Sequence, residues 1–184
     1  MKKTLLSLAL AIVTTTGAIA QDIKEAELFA KLPGSVGNIT FTPTNRVIYS
    51  HHPFFGPDIR VAELNDDRAS FTPFPNLEWN TPRDGTDRYF DSVLGLRGDE
   101  NGIVWILDMG QRNGLTPKIV GWNTWTDELE RIYYIPAPAS LPESQHNDMI
   151  VNLKDQVFVI ADEGIGPGGD GSQAALVIVD MQTG

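Results

Sequence analysis

The sequence has 184 residues, with 24 acidic and 14 basic side chains, no cysteine and a formal net charge of -10. Acidity of this kind excludes nucleic acid and anionic membrane surfaces as partners, because both need clustered Lys and Arg. The lack of cysteine excludes a disulfide-stapled scaffold and zinc sites built on thiolates, so an apolar core must hold the chain together.

The first residues read as a leader. Lys2 and Lys3 precede an apolar run from Leu5 to Val13 that only Ser7 interrupts. Thr14 to Gly17 end that run, and Ala18-Ile19-Ala20 supplies small residues at the positions a signal peptidase reads. The pattern predicts a secretory signal peptide over residues 1–20, cut between Ala20 and Gln21. The run is far short of the roughly 20 residues that span a bilayer, and no later segment is long and apolar enough. No membrane span is therefore expected after cleavage. Loss of Lys2 and Lys3 takes the net charge from -10 to -12. The basic start, with no cysteine for lipidation, predicts a secreted or periplasmic protein.

From Gln21 onward, helix periodicity is poor and short β-rich runs dominate. They are Asn38 to Thr42, Arg46 to Ser50, Phe71 to Phe74, Ser92 to Leu96, Ile103 to Leu107 and Lys118 to Trp122. Arg131 to Ile135, Met149 to Leu153, Val157 to Ala161 and Ala174 to Asp180 complete the series. Turn residues such as Thr44-Asn45, Asp99 to Gly102 and Lys154-Asp155 separate them. The runs recur. Ile48, Trp105 and Val159 occupy like places in second strands, at separations of 57 and 54 residues. Asn65, Asn123 and Asp180 follow third strands, at separations of 58 and 57. Four strands per unit at such a period is the signature of propeller blades.

The expected fold is thus all-β, with about three blades and residues 21–184 forming the first half of a β-propeller domain. A blade cannot bury both faces alone, so its neighbours must stack on it. The third unit stops at Gln182-Thr183-Gly184, before its fourth strand. Closing the ring then needs either further C-terminal blades, this sequence being a fragment, or a second chain that pairs with a half-propeller. Ala26 to Leu32 is expected to be the outer strand of the last blade.

Several segments resemble the major royal jelly/yellow family. Phe74-Pro75-Asn76-Leu77-Glu78-Trp79 looks like the Pro-x-x-x-Trp stretch that leads into the family's second blade. Asp99 to Gly110 resembles its Asp-Glu…Leu-Trp-Val-Leu-Asp-x-Gly segment, and Val157 to Asp162 and Leu176 to Asp180 are similar to its next pair of strands. In order, they match the first half of the family domain. The lack of cysteine departs from the insect members and suits a bacterial branch, whose members are often labelled as related to dopachrome tautomerase. The resemblance implies a six-bladed propeller, a secreted or periplasmic location and ligand binding around the central channel. Some relatives bind biogenic amines, and some yellow-type proteins are associated with dopachrome conversion.

The turns into the inner strands form the mouth of a propeller channel, which is where a site is expected. The candidate ligand-binding residues are Asn38 at the first inner strand, Asp91 and Ser92 at the second, and Asn147 and Asp148 at the third. Such amides and carboxylates would ligate a hard cation such as calcium, or hold an amine, although Asn and Asp also serve as plain turn caps. His146 and Asp148, two residues apart, are the candidate acid/base pair. His51 and His52 point to opposite faces if extended, and a solvated loop is expected there. No Ser sits in a nucleophile elbow. Gly164, Gly166 and Gly169 match the dinucleotide spacing, but a strand rather than a helix is expected after them, so no nucleotide cofactor is inferred. Tyr49, Trp105 and Phe158 are expected between blades, while Trp79, Trp122 and Trp125 fit either core packing or stacking on a ligand.

Three functions remain open from the sequence. One is a binding protein that holds a small ligand in its channel. Another is an enzyme, either a dopachrome-converting isomerase or a metal-dependent sugar lactonase. The lactonase would need a Glu where Gly37-Asn38 stands. The last is a structural or interaction propeller.

Overall fold

The computed structural model describes residues 25–184, so the signal peptide and its Ala20–Gln21 cleavage point lie outside the described residues. Among the described residues eleven strands form three antiparallel sheets. The first holds β1 (Val36–Phe41), β2 (Val47–His51), β3 (Val61–Leu64) and β4 (Phe71–Pro73). The second holds β5 (Val93–Gly98), β6 (Ile103–Asp108), β7 (Lys118–Asn123) and β8 (Glu128–Tyr134). The third holds β9 (His146–Asn152), β10 (Val157–Asp162) and β11 (Ala175–Asp180). Within each sheet the strands lie in chain order. Among the described residues no helix is long and apolar enough to cross a membrane.

Side-chain alternation decides how the sheets stack. Ile48 and Val61 leave the first sheet toward Val104, Ile106 and Val120 of the second, with Phe74, Trp79, Phe90 and Trp122 filling the space between. Trp105, Leu107 and Ile119 leave the opposite face of the second sheet toward Met149, Phe158 and Ile160 of the third. Strand β6 is therefore buried at every position, which is why Ile103 to Leu107 reads as an unbroken apolar run. Ile48 and Trp105 both face the following sheet, and Val159 points the same way, so the repeat read from the sequence is a structural one. On the free face of the third sheet Ile150, Leu176 and Ile178 stay exposed.

Alternation after Ile48 turns Tyr49 to the face of the first sheet away from the second, against Val47, Ala62 and Leu64, where no described blade packs on it. One local expectation changes. His51 is not in a solvated loop; it ends β2, is buried, and bonds through Nδ1 to Ile59 O at 2.8 Å. Among the described residues Ala26 to Leu32 pairs with no strand, and Ala30 and Leu32 lie against the face that carries Tyr49. Trp79 and Trp122 are core residues in edge contact at 6.2 Å. Trp125 is exposed, and its indole N–H donates to Asn101 O at 2.9 Å.

Candidate functional site

The inner strands β1, β5 and β9 lie side by side, β1 against β5 and β5 against β9. Each carries a register irregularity near its start, between Val36 and Ile39, between Val93 and Leu96, and opposite the Ala161/Asp162 step. A bulge bends its strand and re-aims the side chains beside it. Here the irregularities fall at Asn38, at Gly95 and at Asn147. Gly95 permits a close approach, since a Cβ there would stand 2.8 Å from Asn147 O and 2.9 Å from Asp148 Cα.

The three strands converge on Arg97. Its Nη1 donates to Asn38 Oδ1 at 2.7 Å and to Leu96 O at 2.9 Å, and its Nη2 pairs with the Asp148 carboxylate. One guanidinium therefore joins all three blades. The pair is partly solvated, with side chains 33% and 36% exposed, so it orients groups more than it stabilises the fold. Beside it, Asn147 Nδ2 donates to Glu163 Oε1 at 2.8 Å, and Gln145 Nε2 to Glu163 Oε2 at 2.6 Å. Sequence reasoning identified Asn38, Asn147 and Asp148 but missed Arg97 and Glu163. The available signal was a lone charge in the otherwise small and apolar strand Val-Leu-Gly-Leu-Arg-Gly.

Asp91 and Ser92 are placed differently. Both are fully buried. Asp91 Oδ2 accepts from Arg112 N at 2.7 Å, and the backbone N–H groups of Asp91 and Ser92 donate to Asp108 at 2.9 and 2.8 Å. Asp108 also accepts from the wholly buried Lys118 Nζ at 2.8 Å. These groups bind the β6–β7 loop to the chain entering β5.

His146 and Asp148 do not meet through a hydrogen bond. His146 is buried, with Nε2 3.1 Å from Ser140 Oγ and Nδ1 3.8 Å from Asp162 Oδ2. Burial lowers the imidazole pKa below its ordinary value, against the opposing pull of the Asp162 charge. Burial raises the pKa of Asp162, but hydrogen bonds from Ser144, Gly164 N and Gln145 N outweigh it and hold the carboxyl low. The glycine-rich loop after Asp162 leads directly into β11, so no helix follows Gly169. Among the described residues no three His, Asp or Glu side chains converge as a metal site. A calcium ion between Asn38 and Asp148 would have to displace Arg97.

Repeated four-stranded sheets stacked with their inner strands together define a β-propeller, present here in part. The chain belongs to the major royal jelly protein family, whose model matches residues 91–183. The first blade and the Phe74 to Trp79 stretch precede that match. Among solved structures, a luciferin-regenerating enzyme is similar, with a TM-score of 0.51 and 14% identity over 79% of this chain. That likeness concerns the fold, and the chain spans 45% of the length of that protein. No curated protein matches the sequence.

Proposed function

We propose that the protein is an extracytoplasmic propeller that binds a small ligand in the channel lined by β1, β5 and β9. The observation that carries this reading is the Asn38–Arg97–Asp148 group, in which one guanidinium gathers polar side chains from three blades. Asp91 is consumed inside a buried loop by the backbone N–H groups of Arg112 and Asn113. Asn38 and Asp148 are half-buried; each accepts from the next backbone N–H, of Ile39 and Met149, and each also meets the shared Arg97 guanidinium. Asp148 and Glu163 carry two negative charges against the single positive charge of Arg97, which favours a cationic ligand such as a small amine. Closing the channel requires further blades or a second chain, and the exposed Ile150, Leu176 and Ile178 supply an apolar face for either.

Isothermal titration of the purified protein with tyramine tests the reading. Saturable binding is expected, weakened about tenfold in Asp148→Asn and in Asn147→Ala, the loss of one charge-assisted hydrogen bond. Equal affinity in both variants and the parent would remove the channel assignment. Addition of calcium in a parallel titration asks whether a divalent cation competes for the same oxygens.

A further inference from the structure

A second site lies outside the channel, in the loops that join the second and third sheets. There the segment before β9 meets the β6–β7 loop around a cleft of about 240 Å³. Ser140 lines this cleft together with Met109, Gln111, Leu115, Leu141 and Pro142. Behind Ser140 stands His146, almost wholly excluded from solvent, with Nε2 3.1 Å from the hydroxyl oxygen. Its other ring nitrogen is buried and has no hydrogen-bond partner among the described residues. That nitrogen faces Asp162 Oδ2 at 3.8 Å. Asp162 is itself fixed by Gln145 N at 2.8 Å and Gly164 N at 3.0 Å.

We propose that Ser140, His146 and Asp162 form a nucleophilic relay that cleaves small carboxylic esters with an apolar acyl group. The order is that of a serine hydrolase: a hydroxyl open to the cleft, an imidazole in hydrogen-bond reach, and a carboxylate on the far side of the ring. The looser histidine–carboxylate distance is of the kind that tightens once substrate is bound. A proton on Nδ1, toward Asp162, leaves Nε2 free to accept from Ser140. The apolar walls supplied by Met109, Leu115, Leu141 and Pro142 suit the acyl chain. Gln111 Nε2 gives one N–H to Ser144 O at 2.9 Å, and its second N–H would receive the oxyanion.

The chemistry balances without a cofactor. Ser140 Oγ adds to the ester carbonyl carbon while its proton passes to His146 Nε2. The ester C–O bond breaks, and the alcohol leaves with that proton. Water then adds to the acyl carbon and gives a proton to Nε2. The acyl–Oγ bond breaks, the proton returns to Oγ, and a carboxylic acid is released. Ser140 and His146 are the catalytic residues, and Asp162 is a positioning residue. This site is independent of the channel reading, since neither Arg97 nor Asn38 takes part.

The test uses the protein with a fluorophosphonate probe, read by intact mass and peptide mapping, and with p-nitrophenyl butyrate hydrolysis. One phosphonyl group on Ser140 is expected. Ser140→Ala should take up none, and His146→Gln should react at least about a hundredfold more slowly, the scale of a lost general base. Asp162→Asn should shift the pH profile of labelling to lower pH, because the carboxylate that raises the imidazole pKa is gone. An unreactive Ser140, or equal labelling of Ser140→Ala, overturns the proposal. Ser140 sits half-exposed at the cleft, so its alanine variant remains informative even where His146→Gln fails to fold. A slower Asp162→Asn with an unmoved profile overturns the role given to Asp162.

Discussion

Asp108 and Asp162 end the second strands of consecutive blades and hold the incoming chain with the same clasp. Asp108 Oδ1 accepts from Ser92 N at 2.8 Å and Gly110 N at 3.1 Å. Asp162 Oδ1 accepts from Gln145 N at 2.8 Å and Gly164 N at 3.0 Å. Each carboxylate thus fastens the segment entering an inner strand to the loop leaving a second strand. The two differ in their fourth partner: Lys118 for Asp108, and the neutral ring of His146 near Asp162.

That difference predicts unequal costs. Asp108→Asn leaves the Lys118 ammonium buried without its counter-charge, which should destabilise by about 3–5 kcal/mol. Asp162→Asn keeps an amide oxygen for Gln145 N and Gly164 N, puts a donor in place of the second oxygen in a buried site and strands no cation, and should cost about 1–3 kcal/mol. Urea unfolding of both variants measures this. Equal losses would mean that the clasp, and not the ion pair, dominates at Asp108.

Gly121 lies opposite Trp105 in the β6–β7 pairing, and a Cβ there would stand 2.4 Å from the indole ring. The ring cannot retreat easily, because Tyr133 and Phe158 pack against it with centroids at 6.0 and 4.9 Å. Gly121→Ala should therefore cost about 1–3 kcal/mol, the usual penalty for overpacking. Thermal unfolding decides, and an unchanged melting temperature would show that the indole has room to shift.

Stability should fall on mild acidification. Burial lowers the folded-state pKa of His146, and of His51 as well. A histidine with a depressed pKa binds fewer protons folded than unfolded, so its burial is tolerated above the unfolded value of about 6.5 and opposes folding below it. The urea midpoint should drop between pH 7.5 and pH 5. His146→Gln should flatten that slope. Asp162, whose pKa is held low, adds its own loss only as pH falls below about 4. A midpoint independent of pH over this window would contradict the neutral buried imidazoles.

Tyr49 is fully buried, and its hydroxyl has no hydrogen-bond partner among the described residues. Burial pushes its phenol up to about 12. Tyr49→Phe should keep the edge contacts to His51 and Phe71 and stabilise by about 1 kcal/mol, since an unsatisfied polar atom disappears. The parent should also lose stability as pH rises above about 10 toward 12, the direction for a raised acid, and the Phe variant should lose less. Calorimetry at pH 8 and pH 11 compares the two, and a destabilised Phe variant would reveal a missing partner for the hydroxyl.

Arg97→Gln probes the channel differently. Because the Arg97–Asp148 pair is partly solvated, its loss should cost less than about 1 kcal/mol of stability. It also removes the positive charge that offsets Asp148, so tyramine should bind about threefold to tenfold tighter. Weaker binding in this titration would instead mark Arg97 as a direct ligand contact, and the preferred ligand as an anion.

The all-β class, the blade period and most strand positions were legible in the sequence, because alternation, turn residues and apolar runs are local properties of the chain. Ile48, Trp105 and Val159 keep their spacing whatever the sheets do, and they turned out to face the same way in successive sheets. Tertiary structure alone decided the partners. Arg97 meets Asp148 across 51 residues, and Asp162 stands behind His146 at a distance of 16. Bulges in the inner strands and the packing of one sheet on the next set those meetings. Both are non-local, so no periodicity within a segment records them. The same reason separates Asp91 from Asp148: one carboxylate is consumed by a buried loop, and the other, half-buried, meets Arg97 of the neighbouring sheet.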